Sequence, residues 1–233
     1  IAGDGMGRAV HFGDRDCSIQ RRYQKVIEEG PCSIMSEESR QSMRGAAVKL
    51  MADLRYRNIG TVEFVYDQKR DEFYFIEVNT RIQVEHPVSE QVSGFDLVKL
   101  QFAIANGDLD IIPNQNQIKI RGHSIECRIN AEDPENNFRP SPGRIKVWSP
   151  PSGVGVRIDS HCFSGYTVPP FYDSMIGKLI VTGANRGIAI ERMVSALEKF
   201  SIDGIKTNVK MLSGIFADER FRDNKFGTKW LEE

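Results

Sequence analysis

"GTVEFVYDQKRDEFYFIEVNTRIQVEHP", residues 60–87, is the stretch whose reading decides the fold. It begins as two runs of alternating apolar and polar residues, GTVEFVYD and DEFYFIEVN, joined by the charged loop DQKRDE. That pattern predicts a β-hairpin. Antiparallel pairing keeps the sum of partner numbers constant, so a turn centred near residues 69 and 70 sets Glu63 opposite position 76 or 77, where Glu77 stands. Facing side chains there have Cβ atoms about 4.5–5.5 Å apart, and like charges so placed destabilise a sheet. Two carboxylates on strands rich in Val, Phe, Tyr and Ile therefore call for a cation. Mg²⁺ is typically held by one or two carboxylates together with substrate phosphates. Asn79, two residues beyond Glu77 on the same strand face, can add a neutral oxygen. The competing reading is a ribbon whose two glutamates face water.

Past Asn79 the run TRIQVEHP supplies a guanidinium (Arg81), an amide (Gln83), a carboxylate (Glu85) and an imidazole (His86), stopped by Pro87. Read as extended chain, alternation puts Arg81, Gln83 and Glu85 on one side and Ile82 and Val84 on the other. The planar fork of Arg suits carboxylate-like or phosphate-like oxyanions. A Glu beside it is a candidate general base. An edge strand with one wet face is the alternative for this row.

The 233 residues fit one large domain or two small ones, with apolar content sufficient for a core. Lys plus Arg number 31 against 32 for Asp plus Glu, a net charge of −1, so a nucleic-acid partner is not expected. No apolar run reaches the roughly 18–20 residues that span a bilayer, and no membrane association is expected. No signal peptide is visible. Cys17, Cys32, Cys127 and Cys162 are scattered, with no C-x-x-C pair, which suits free thiols in a reducing compartment. The expected location is the cytoplasm, or the mitochondrial matrix for a eukaryotic source. The opening IAGDGMGRAV reads like a hairpin already under way, so a longer polypeptide is expected.

Along the chain, a Gly-rich turn at Gly3 to Gly7 precedes the strand RAVHF. Ser36 caps a helix with Glu37 and Glu38 in its first turn, where the helix dipole favours anions. Its expected buried face is Met43, Ala46, Ala47, Leu50 and Leu54. FDLVKLQFAIANG predicts a helix with Leu97, Leu100, Phe102 and Ile104 mostly inward, closed by Asn106-Gly107 in a left-handed cap. The turn-rich DLDIIPNQNQ is the expected boundary, giving domains 1–112 and 113–233. Beyond it come the strands GHSIECRIN, GRIKVWS, GVGVRIDS and MIGKLIVTG, then helices at about 187–200 and 207–216. The fold class is α+β, in two lobes, without internal repeats. His86, His123 and His161 read as structural hydrogen-bonding groups and His11 as exposed. Asp173 and Ser174 read as fixing a turn.

The segments RDCSIQRRYQKVIEE, EFYFIEVNTRIQVEHPVSE, RGHSIECRINAEDP, GYTVPPFYDSMIGKLIV and IDGIKTN together resemble biotin carboxylase, over essentially the whole chain and in order. The resemblance implies the distal half of an ATP-grasp domain followed by the biotin carboxylase C-terminal subdomain, an antiparallel sheet with helices. It places an amino-terminal lobe and a mobile lid before Ile1, so that this stretch alone would not turn over. The implied reaction phosphorylates bicarbonate with ATP to give carboxyphosphate, which releases CO₂ to carboxylate N1 of carrier-bound biotin. Carried over residue by residue, Glu63 and Glu77 look like ligands of Mg²⁺ or Mn²⁺, with Asn79 assisting. Lys25, Arg81, Gln83 and the backbone of Val84 would hold bicarbonate, and Glu85 resembles its general base. Arg157 would stabilise the enolate-like oxygen of the biotin ureido ring. Gln20, Tyr23 and Glu77 fall on the nucleotide side. The implied partners are a biotin carboxyl carrier protein or domain, a carboxyltransferase and a second copy in a homodimer. Acetyl-CoA carboxylase in fatty acid biosynthesis is one such system.

Two departures stand out. Tyr23 occupies a place where His is usual, which puts nucleotide affinity in question more than reaction type. The loop DQKRDE is long for the family. On composition alone SIQRRYQK reads as a solvated basic face. The nearest enzyme rival is a bicarbonate-phosphorylating ligase of the carbamoyl-phosphate synthetase type, which has no need of Arg157 or GYTVPPFYDSMIGKL. A silent fragment serving assembly is the rival of another class.

Overall fold

The structure, a computed structural model, describes residues 1–232. The chain forms two compact units: Ile1–Asp16 with Gly30–Arg121, and Cys17–Glu29 with the chain from Gly122 onward. This division differs from a boundary at 112/113 in two ways. The change falls at Arg121/Gly122, and residues 17–29 join the second unit. The reason is long-range pairing: the strand Gln24–Gly30 buries Val26 and Ile27 in the second core and lies beside His123–Asn130 in its sheet. No local pattern announces such a partner. Gly122 itself has φ +67°, and a Cβ there would run into the carbonyl oxygen of Gly183.

In the first unit, Ala2–Asp4 pairs antiparallel with Ala9–Val10 on one side and Arg57–Ile59 on the other. The helix Glu37–Asp53 starts as expected, with Ser36 Oγ accepting from the Ser39 N–H at 3.1 Å. Its buried face is rotated from the expected one: Ser39, Arg44, Ala47 and Met51 are buried, Ala46 is exposed, and Leu54 is 63% exposed. Arg44 takes an inward position because buried Asp14 receives its guanidinium, with Arg40 on the other carboxylate oxygen at 2.8 Å. A buried ion pair is invisible to a hydrophobic period. The helix Leu97–Asn106 buries Leu97, Leu100 and Ile104 against Ala2, Val10, Phe12 and Ile59. Phe102, expected inward, is exposed, because five residues past Leu97 the helix has turned to its far side. Gly107 closes the helix in the left-handed region, as expected. His11 is half-buried rather than exposed, and burial with the nearby Arg44 charge lowers its pKa to about 4.

The second unit is built on a five-stranded sheet in the order Val156–Asp159, Met175–Gly183, His123–Asn130, Gln24–Gly30, Asp16–Arg21. The expected strand GRIKVWS is split into Gly143–Arg144 and Val147–Ser149, which pair with different partners. The helix Arg186–Lys199 buries Ala189, Ile190, Met193, Ala196 and Leu197 in the same core as Ile125, Leu179 and Val181. The closing helix runs Val209–Ala217, followed by a short Glu219–Arg222 turn of helix. Helices beside antiparallel sheets make the class α+β, as read from the sequence. Among the described residues no helix is long and apolar enough to cross a membrane.

Candidate active site

The ribbon Thr61–Asp67 with Glu72–Asn79 pairs antiparallel, and Glu63 lies directly opposite Glu77. The pairing is set by a bulge. From Asp67↔Glu72 to Phe64↔Phe75 partner numbers sum to 139, but Glu63↔Glu77 sums to 140, because Ile76 is extra. Without the bulge the register would continue to Glu63↔Ile76, and the two acids would not meet. Asn79 joins the pair: its Nδ2 donates to Glu63 Oε1 at 3.1 Å and to Glu77 Oε1 at 2.9 Å. The three side chains expected to share one face do share it. In this arrangement Asn79 presents its donor nitrogen to the acids rather than its oxygen.

The row that follows differs from expectation. The strand ends at Asn79, and residues 81–85 bend into a helix, His86–Ser93, with Pro87 in its first turn. Pro suits that position because its missing N–H has no partner there in any case. Arg81, Gln83 and Glu85 therefore do not form one strand face. Arg81 is exposed, its Nη1 donating to the carbonyl of Ile82 at 3.2 Å, while Gln83 and Glu85 are buried. Val84 is half-buried in the turn between them. Glu85 sits at the helix N-cap, and its side chain makes no capping bond to the helix. His86 Nδ1 meets the carbonyl of Gln83 at 2.8 Å, a structural contact as expected.

Burial of Gln83 brings it to the ribbon: its Nε2 donates to Glu63 Oε1 at 2.5 Å. Its other end is held by Arg15, a residue the sequence reading did not single out. Arg15 Nη2 donates to Gln83 Oε1 at 2.7 Å and lies 4.0 Å from Glu85 Oε1. Nη1 of the same guanidinium donates to Ser89 Oγ at 2.9 Å, in the helix that follows. A signal existed only in the segment RDCSIQRRYQKVIEE, which Arg15 opens.

The remaining candidates belong to the second unit. Gln20 and Lys25 lie on the paired strands Asp16–Arg21 and Gln24–Gly30, so SIQRRYQK is a β-hairpin and not merely a charged run. Gln20 Nε2 donates to the carbonyl of Cys17 at 3.2 Å, and Lys25 is half-buried. Tyr23 shares the two-residue turn with Arg22, both at positive φ, and the residue is 95% exposed. Arg157 lies on Val156–Asp159 and grips Asp159 two residues on, Nε to Oδ1 at 2.7 Å and Nη2 to Oδ2 at 2.8 Å. Lys178 Nζ approaches the same carboxylate at 3.5 Å. Burial pushes the Asp159 carboxyl up, but Arg157 and Lys178 outweigh it and leave the pKa below the usual range. Asp173 Oδ1 accepts from the Met175 N–H at 2.8 Å and Ser174 bonds Glu132, fixing the turn as expected.

Residues 1–111 match the model of the carbamoyl-phosphate synthase L chain ATP-binding domain, and residues 126–233 that of the biotin carboxylase C-terminal domain. The chain is 50% identical over 233 residues to Biotin carboxylase of Pseudomonas aeruginosa, covering all of this chain and 51% of the relative. The chain belongs to the biotin carboxylase family. It is also 49% identical to a pyruvate carboxylase subunit of Methanothermobacter thermautotrophicus, covering all of this chain and 47% of that relative. Among solved structures it is similar to the biotin carboxylase domain dimer of Hydrogenobacter thermophilus 2-oxoglutarate carboxylase in complex with MgADP, ADP and bicarbonate. That match has a TM-score of 0.95 and 46% identity, over 99% of this chain and 51% of the other. The chain thus spans about half the length of the curated relatives it matches. The paired glutamates, Gln83 and Glu85 fall in the first matched segment and Arg157 in the second.

Proposed function

We propose that this chain serves the ATP- and bicarbonate-dependent carboxylation of biotin on a carrier protein, the first half-reaction of a biotin-dependent carboxylase. The observation that carries the reading is the continuous polar chain from the Glu63–Glu77 pair through Gln83 to Arg15 beside Glu85. Facing like charges bridged by the Asn79 amide fit a divalent cation, and Asn79 turned over would offer Oδ1 as a further oxygen. A bound Mg²⁺ would neutralise charge on the ATP phosphates at Glu63 and Glu77. Mn²⁺ is proposed as an alternative ion.

Bicarbonate is a weak nucleophile, so it must be oriented and deprotonated. Arg81, Gln83 and the Val84 backbone, with Lys25, would bind its oxygens. The Glu85 carboxylate would take its proton. The oxygen so exposed attacks the γ-phosphorus, the bond from that phosphorus to ADP breaks, and carboxyphosphate forms. Its C–O bond then breaks to release CO₂ and phosphate. Arg157 would stabilise the negative oxygen of the ureido group as N1 gives its proton to the phosphate just released and takes up CO₂. Gln20 and Tyr23 would serve the nucleotide.

The partners in this reading are a biotinyl carrier, a carboxyltransferase and a second copy of the chain, in the cytoplasm or mitochondrial matrix. The final acceptor is chosen by the carboxyltransferase; relatives are named for pyruvate and 2-oxoglutarate as well as for biotin alone, and acetyl-CoA carboxylase is one setting. The test is ATP hydrolysis by the full-length protein with and without free biotin. We expect hydrolysis to require bicarbonate and to rise with biotin. Bicarbonate-dependent hydrolysis indifferent to biotin would favour the carbamoyl-phosphate synthetase type of ligase.

A further inference from the structure

We propose that Arg15 is a positioning residue for bicarbonate, acting through Gln83: it fixes which end of the Gln83 amide faces the anion. This rests on the reading of Gln83 as a bicarbonate-binding residue. A Gln side chain offers two donors at one end and an acceptor at the other, and only the donor end can bind an anion. Here the choice is made by the neighbours. Oε1 accepts from Arg15 Nη2 at 2.7 Å, and Arg has no acceptor atom, so the oxygen must lie on that side. Nε2 then points to Glu63 Oε1 at 2.5 Å, which spends one of its two hydrogens and leaves the second for an oxyanion.

The guanidinium is itself well anchored. Nη1 is fixed by Ser89 Oγ at 2.9 Å, Nη2 also reaches Thr61 Oγ1 at 3.3 Å, and the side chain is 13% exposed. Arg15 thus ties together the start of the ribbon, the amide and the first turn of the His86–Ser93 helix. Glu63 holds the amide from the other end, but in the proposed function that carboxylate also serves a cation, whereas the Arg15 contact serves Gln83 throughout. The Arg15 guanidinium also faces the Glu85 carboxylate, at 4.0 Å.

The experiment is a double-mutant cycle on the full-length protein, Arg15→Gln and Gln83→Ala singly and together. It reads KM for bicarbonate, KM for ATP, kcat, and the bicarbonate-induced rise in melting temperature without ATP. Each single variant is expected to raise the bicarbonate KM about tenfold, the scale of one hydrogen bond to a charged group. The ATP KM should stay within about twofold, and the bicarbonate-induced melting shift should shrink. The double variant should be no worse than Gln83→Ala, because Arg15 acts through that amide. Arg15→Lys, which keeps the charge but not the fork, should restore part of the loss, and should Arg15→Gln not fold, Arg15→Lys takes its place in the cycle. Additive losses, or an unchanged bicarbonate KM in the Arg15 variant while Gln83→Ala raises it, would overturn the proposal and leave the reading of Gln83 standing. An unchanged KM in Gln83→Ala would instead overturn both.

Discussion

Two carboxylates face each other across a β-ribbon with the Asn79 amide between them, and a cost follows that a bound cation would lift. Like charges directly opposite on a sheet destabilise it by about 0.2–1 kcal/mol. Glu77→Gln should therefore leave the metal-free protein as stable as the parent or slightly more so, seen as an equal or higher melting temperature in EDTA. The same variant should lose bicarbonate-dependent ATP hydrolysis at any Mg²⁺ concentration. Retained turnover at saturating Mg²⁺, or a large drop in metal-free stability, would count against the pair as ion ligands. The pairing itself was legible from arithmetic on the loop to within one position, and the bulge at Ile76 made the choice. Arg15 was not legible, because its partners Thr61, Gln83 and Ser89 lie 46 to 74 residues away and no local period links them.

At the scale of elements, Glu29 ties the second unit together. It is buried on the strand Gln24–Gly30 and takes His123 Nε2 at 2.7 Å from the neighbouring strand. Arg186, at the start of a helix, donates to both of its oxygens at 2.7 and 3.1 Å. Burial pushes the carboxyl up, but these partners outweigh it and the pKa ends below its ordinary value. A depressed pKa contributes stability above the unfolded value of about 4.3 and loses it as pH falls through the folded one. Glu29→Ala should cost about 3–5 kcal/mol at pH 7, and the difference from the parent should shrink in acid below about pH 4. Urea midpoints at the two pH values measure this, and an equal difference at both would show that the charge is not what matters.

Strands set off by Pro and Gly punctuation, such as Met175–Gly183, were legible to the residue. The helix His86–Ser93 was not, because its approach carries polar residues at alternate positions and imitates a strand. Arg44 rotated the Glu37–Asp53 face for a related reason: a charge with a buried partner behaves as core.

For the whole molecule, the fold class and the family were both legible in the sequence, whereas the division into units was not, since the hairpin 17–29 finds its sheet about a hundred residues downstream. The account requires the full-length protein to make bicarbonate the nucleophile toward ATP, with both matched segments serving one reaction. Isotope transfer tests this most directly. In carboxyphosphate the bridging oxygen comes from bicarbonate, and cleavage of its C–O bond leaves that oxygen on phosphate. With ¹⁸O-labelled bicarbonate and unlabelled water, the account predicts one ¹⁸O in each phosphate released by the full-length protein, and loss of that product in Glu85→Gln. Phosphate without ¹⁸O, its fourth oxygen taken from water, would contradict it.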